Sequence, residues 1–210
     1  MTETTLFLVR HGETAWNRER RVMGRADVPL SDAGRTQSER LGRVLAGMDI
    51  ARILSSPLAR AVETAEILAG HVGCDVEFDE DLEEVRYGDW QGRTYDEIAT
   101  EDAFRAFAAD PENARTPGGE TIGDVQRRGL AGVSRARAGE RTLVVSHGDI
   151  LRSILCSFLA VPLAEFRRLR TDNCGVSVVA HGGGQPEVKF VNVLADPERA
   201  WDAVHWASWR

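Results

Sequence analysis

Two segments of this chain share one local design, and that design restricts the fold more than any other feature. Leu6-Phe7-Leu8-Val9 and Leu143-Val144-Val145 are short, unbroken apolar runs. Each leads, two residues on, to a histidine followed by glycine, in Arg10-His11-Gly12-Glu13 and Ser146-His147-Gly148-Asp149. Continuous apolar runs of this length suit strands buried on both faces, as in a parallel sheet. In open α/β sheets ligands gather beyond the carboxyl ends of the strands. Two histidines delivered there can face each other across one crevice, and a glycine after each permits a tight turn and close approach of a ligand to the backbone.

The rest of the chain alternates in the same way. A helix is expected over residues 31–45 with Leu41, Val44 and Leu45 as its apolar stripe, then a strand at Ile53-Leu54. Ser56 is placed to cap the next helix and Pro57 to occupy its first position. Leu58, Ala61, Ala65 and Leu68 supply its buried stripe, and it is expected to stop near Gly70. Val76-Glu77-Phe78 reads as a weaker strand, and Thr94 to Ala109 as short helices in which Ala103–Ala109 forms an apolar lid. Thr116-Pro117-Gly118-Gly119 is a loop, and Thr121 caps a helix running towards Arg137. A helix over Ile150 to Leu159 follows the second histidine; strands at Val176–Val179 and Val188–Val193, joined through Gly182-Gly183-Gly184, close the pattern. Such alternation predicts a three-layer α/β/α sandwich with a mostly parallel sheet, as one domain over residues 1–210 with a small helical cap inserted at about 93–120.

Composition narrows the function. The chain has 210 residues and a formal net charge of −7, which disfavours nucleic-acid binding by broad charge attraction. Its apolar runs are too short to span a bilayer, and Met1-Thr2-Glu3-Thr4-Thr5 does not resemble a signal peptide. Three cysteines, Cys74, Cys156 and Cys174, are few and odd in number, as expected of reduced thiols in a cytoplasm. Trp201, Trp206 and Trp209 in the tail are expected to pack on the body or on a second subunit, which makes a homodimer an expectation. Of the 26 basic residues only Lys189 is lysine, so an arginine carries meaning here only through its position in a motif.

Arg10, beside His11, and Arg60, in the first turn after Ser55-Ser56-Pro57, have such positions. A guanidinium fork matches two oxygens of a phosphate, so two arginines and two histidines at strand ends make a site for a tetrahedral anion.

These residues resemble the histidine phosphatase superfamily, in its phosphoglycerate-mutase-like branch. The likeness runs in order through Leu8-Val9-Arg10-His11-Gly12-Glu13-Thr14, Trp16-Asn17, Met23-Gly24, Ser55-Ser56-Pro57-Leu58-Ala59-Arg60-Ala61, Leu82-Glu83-Glu84, Gly88-Asp89-Trp90-Gln91-Gly92, Pro117-Gly118-Gly119-Glu120-Thr121 and Ser146-His147-Gly148. It implies phosphoryl transfer through a phosphohistidine on His11, with Arg10, Arg60 and His147 around the equatorial oxygens and Asn17 as a neutral donor. Glu84 would protonate the leaving group and then deprotonate water, which calls for a raised pKa. Met23, Gly24, Tyr87 and Gly148 are implied at the substrate, with Arg86 beside them. Glu83 and Asp149 are rivals to Glu84: the spacing of Leu-x-Glu selects Glu84, Glu83 becomes a solvated neighbour, and Asp149 lines its loop or caps its helix.

The family divides into phosphatases and mutases. Mutases usually carry a longer, basic insertion between the acid and the second histidine, where this chain has only Arg93, Arg105 and Arg115. The expectation is therefore a phosphatase acting on a small phosphorylated substrate. A cofactor-dependent phosphoglycerate mutase is the alternative, and a non-catalytic phospho-ligand-binding protein the second alternative. Met23 departs from the pattern, since many of these phosphatases have glutamine there, and this bears on substrate choice. No metal or cofactor is expected: His71, His181 and His205 are isolated and lack metal-ligand spacing.

Overall fold

A computed structural model describes residues 3–182 and 184–195. In chain order its elements are strand β1 (Thr4–Arg10), helices α1 (Ala15–Arg18) and α2 (Asp32–Leu45), strand β2 (Arg52–Ser55), helix α3 (Ala59–Val72) and strand β3 (Val76–Phe78). Helices α4 (Tyr95–Ile98), α5 (Asp102–Ala109) and α6 (Ile122–Val133) come next. Strand β4 (Arg141–Ser146), helix α7 (Gly148–Phe158) and strands β5 (Val176–His181) and β6 (Glu187–Val193) complete the set. A 3-10 turn at Leu163–Arg168 lies between α7 and β5. The Trp201, Trp206 and Trp209 tail falls outside the described residues.

The six strands form one sheet in the order β3-β2-β4-β1-β5-β6. Pairings among β1 to β4 are parallel, and β5 and β6 join antiparallel at one edge. Alternate residues of β1 face opposite sides. Phe7 and Val9 join Leu41, Leu45, Ala61, Ala65 and Leu68 of α2 and α3, while Leu6 and Leu8 join Val125, Val133, Ile150 and Ile154 of α6 and α7. Both faces are thus covered, which is why the strands are apolar throughout. This is the predicted mostly parallel α/β fold.

Neighbours β1 and β4 send their chains to opposite sides: β1 leads through α2 to β2, and β4 through α7 to β5. A crevice opens where such connections diverge, and His11 and His147 stand at its two edges.

Several boundaries differ from the sequence reading. Helix α3 starts at Ala59 with Leu58 as its N-cap residue, not with Ser56 and Pro57. The Ser56 hydroxyl is engaged instead with His147 Nε2 at 2.8 Å. Helix α3 also continues past Gly70 to Val72, where Gly73, in the left-handed region at φ 74°, ends it. Helix α6 stops at Val133, short of Arg137, and α7 begins at Gly148 rather than Ile150.

The glycine after each histidine has a different reason. A Cβ on Gly12 would stand 2.6 Å from the Gly34 carbonyl oxygen, and one on Gly34 would stand 2.1 Å from that of Glu13. The turn carrying His11 is therefore pressed backbone to backbone against the start of α2. Gly148 is under no such pressure, because its nearest contacts would be ordinary ones at 3.6 Å. Gly34→Ala should lower the unfolding free energy by about 1–3 kcal/mol through overpacking, measured by denaturant titration, whereas Gly148→Ala should unfold close to wild type.

Candidate active site

Beyond the ends of β1 and β4 lies a cavity of about 460 Å³. Of the predicted site residues, Arg10, His11, Asn17, Met23, Gly24, Arg60, Glu84, Tyr87 and Gly148 line it. His147 is fully buried beside it, its ring centroid 5.2 Å from that of His11.

His11 Nδ1 lies 2.7 Å from the Gly12 carbonyl oxygen, to which it donates, so the lone pair of the neutral ring resides on Nε2. Arg60 Nε donates to that Nε2 at 3.2 Å, while its two amino groups donate to the carbonyls of Gly24 and Ala26. Burial, and then the charges of Arg60 and Arg10, hold the pKa of His11 well below its usual value. His147 is lowered in the same way, by burial first and then by Arg60, His11 and Arg10. The Ser56 hydroxyl accepts the Leu58 amide and lies 2.8 Å from His147 Nε2, where either group can donate. His147 Nδ1 and Arg10 Nε are buried without a partner. Unpaired buried polar atoms are costly unless a ligand uses them. Arg60 itself is depressed to about 10, mainly by burial.

Glu84, 9% exposed, sits at the amino end of α7. Its Oε1 accepts the amides of Val85 and Ile150, and its Oε2 that of Asp149 at 3.3 Å. Burial, then the charge of Asp149, raise its pKa. Of the rivals, Glu83 is not a solvated neighbour. Its side chain is 16% exposed and pairs with Arg25 at 2.8 Å, and it does not line the cavity. Asp149 does line the cavity, but it is bound by the Tyr87 hydroxyl and by Arg152. Burial opposes its ionisation, yet Arg152, the Tyr87 hydroxyl and Arg167 outweigh that and hold its pKa low.

Asn17 closes a capping box with Thr14, and its Oδ1 also accepts from Asn173, so its amide NH2 is the part left for a ligand. Met23 Sδ packs 3.5 Å from the Thr14 hydroxyl. Arg86 does not reach the cavity; its backbone is tied to Glu120 and Thr116. The sequence reading missed Trp16, Arg20, Arg21, Tyr95, Arg152 and Arg167 on the cavity wall. Arg152 had a signal, being three residues after Asp149 on one helix face. Arg167 had none; it lies across the rings of Phe104, Phe107 and Phe166 at 5.3 to 5.5 Å. Among the described residues no cluster of His, Cys, Asp and Glu is arranged to hold a metal ion, and no helix is long and apolar enough to cross a membrane.

A mostly parallel sheet with two neutral histidines, a buried and a half-buried arginine and a raised carboxyl at its strand ends defines a phosphoryl-transfer class of site. Residues 6–194 match the family model of the histidine phosphatase superfamily, branch 1, and the chain belongs to that family. It is 37% identical over 185 residues to a probable phosphoglycerate mutase GpmB of Salmonella choleraesuis, covering 86% of each chain. It superposes on Bacillus stearothermophilus YhfR with a TM-score of 0.84 at 38% identity, over 91% of this chain and 98% of the other. A mycobacterial glucosyl-3-phosphoglycerate phosphatase complexed with VO3 gives 0.80 at 29% identity, over 90% and 98%. Family and neighbours together indicate phosphatase or mutase catalysis.

The two histidines make stability depend on pH. With folded pKa values below the unfolded value of about 6.5, each takes up a proton on unfolding, so stability is full above that pH and is lost as pH falls towards the folded values. The slope approaches about 1.4 kcal/mol per pH unit for each histidine. Glu84, raised when folded, works in the opposite direction. Chemical denaturation between pH 7 and pH 5 should show the decline, and Glu84→Gln should steepen it.

Proposed function

We propose that this chain is a phosphomonoesterase that hydrolyses phosphorylated small molecules through a phosphohistidine on His11. The observation that carries this reading is the state of the His11 ring: neutral, its Nδ1 proton committed to Gly12, and its Nε2 lone pair beside Arg60 and Arg10. An arriving phosphoryl oxygen takes over the Arg60 Nε–H and frees that lone pair for in-line attack. The Nε2–P bond forms as the bond to the leaving oxygen breaks, and Glu84 gives its proton to the departing alkoxide. The Glu84 carboxylate then removes a proton from water, whose oxygen attacks phosphorus. The N–P bond breaks, phosphate leaves, and both groups return to their starting states. Arg10, Arg60, His147 and the Asn17 amide stabilise the charge on the equatorial oxygens, and the unpartnered Arg10 Nε suits that task. Guanidinium groups supply the positive charge, so the reading needs no metal or other cofactor.

The reading also takes residues 1–210 as one domain with a cap at about 93–120. Its partner is a small phosphorylated substrate rather than nucleic acid or a membrane, and its setting is cytoplasmic, which three unpaired thiols suit. A mutase is the second reading, and one observation favours keeping it. Arg93, Arg105 and Arg115 of the insertion are spent on Glu101, Asp102 and Asp124. Arg20, Arg21, Arg152 and Arg167 nevertheless line the cavity from outside that insertion, although Arg20, Arg21 and Arg152 are themselves paired with Asp96, Glu19 and Asp149. A substrate with a second anionic group fits such a wall in either reaction.

The purified protein should release phosphate from monoesters without a bisphosphorylated primer and with chelator present. Rapid interconversion of 2- and 3-phosphoglycerate with little phosphate release would instead establish the mutase. His11→Ala should abolish turnover. Glu84→Gln should retain slow turnover, reduced about a hundred- to ten-thousand-fold, and accumulate phosphoenzyme that mass spectrometry after alkaline quench locates on His11.

A further inference from the structure

Glu84 and Asp149 are the two carboxylates on the cavity wall among the described residues, and the reaction proposed above uses only one. The environment of Glu84 is otherwise rich in cations. Arg60 of α3, Arg10 of β1 and Arg152 of α7 act on it electrostatically, and Arg25 and Arg128 of α6 donate to its main-chain carbonyl. The uncharged hydroxyls of Tyr87 and of Tyr95 in α4 complete the surroundings. Burial favours the protonated carboxyl, but those arginines pull towards the carboxylate, which has no proton to give to an alkoxide.

We infer that the Asp149 carboxylate, clamped between the Tyr87 hydroxyl and the Arg152 guanidinium, is the fixed negative charge that keeps the proton on Glu84. One residue does two jobs here. The main-chain amides of Asp149 and Ile150 hold the Glu84 carboxyl in place from the first turn of α7. The side chain of Asp149 sets the charge beside it. The clamp keeps Asp149 ionised: Tyr87 and Arg152 both donate to its carboxylate, so of the two carboxyl groups it is Glu84 that holds a proton. The burial of Glu84 works in the same direction. A group that must be an acid in one step and a base in the next works best when its proton affinity lies near the working pH. Asp149 is thus a positioning residue, acting through Glu84.

This inference rests on Glu84 as the acid and base, and the test separates the two ideas. With 13C-labelled glutamate, the carboxyl resonance missing from Glu84→Gln is that of Glu84, and its titration can be followed in the free enzyme. Asp149→Asn should move the midpoint down, whereas Asp149→Glu, which keeps the charge, should hold it closer to the wild-type value; a general loosening of the fold would not separate the two. At neutral pH, Asp149→Asn should slow an alkyl phosphate about ten- to a hundred-fold but an activated aryl phosphate less than about threefold, with the alkyl rate recovering at lower pH. An unchanged or raised midpoint in Asp149→Asn, or equal losses on both esters at every pH, would overturn the inference. If Glu84→Gln itself slows both esters equally, the acid role of Glu84 falls, while the titration still decides whether Asp149 governs its proton.

Discussion

In the parallel ladder between β1 and β4, Val9 stands opposite Val145 and Arg10 opposite Ser146, and the pocket depends on that register. A slip of one residue would turn the apolar set of β1 from one layer of helices to the other, which both covered faces forbid. Locked in this way, the strands end level. The His11 amide donates to the Ser146 carbonyl at 2.9 Å, and the two imidazoles come to rest within ring contact. Everything needed to keep them uncharged follows from that position: they are out of water, beside each other and beside the guanidinium groups of Arg60 and Arg10.

Neutral rings among fixed cations make a receptor for an anion that is incomplete until the anion arrives. Arg60 is held rigidly by three hydrogen bonds, to His11, Gly24 and Ala26, whereas Arg10 reaches Thr171 through one amino group and keeps Nε unused. Such preorganisation is what phosphoryl transfer asks of a protein, because little covalent chemistry is left for it to supply. The carboxyl opposite is tuned by the amino end of α7, which also carries His147 as its cap residue. One helix start therefore serves both sides of the cavity.

The fold was legible because its signal is local. Unbroken apolar runs marked β1 and β4, and the histidine and arginine motifs lay directly at strand ends. Where the reading went astray, a tertiary contact had displaced a local preference. Ser56 had the right chemistry to cap α3 but is drawn to His147, and the helix starts later. Glu83 looked exposed from its composition, yet Arg25, distant in sequence, covers it. The pocket's outer arginines were hidden for a different reason: with 25 arginines in the chain, spacing cannot separate one that faces the cavity from one that faces water. Arg167 reaches the wall from the turn after α7 only because aromatic rings of α5 support its guanidinium.

That last arrangement has a consequence for how proteins of this design can diverge. Helix α5 contributes aromatic surface, Phe104 and Phe107, while the arginines on the pocket's outer wall come from the segment after α1, from α7 and from the turn at Leu163–Arg168. Shape and charge are thus written in separate stretches of chain. Insertions into the surface loops around α4 and α5 can remodel the doorway without discharging the chamber, since such loops tolerate change in length. A lineage built this way can try new alcohols on the far side of the ester bond while its grip on the anion stays as it was.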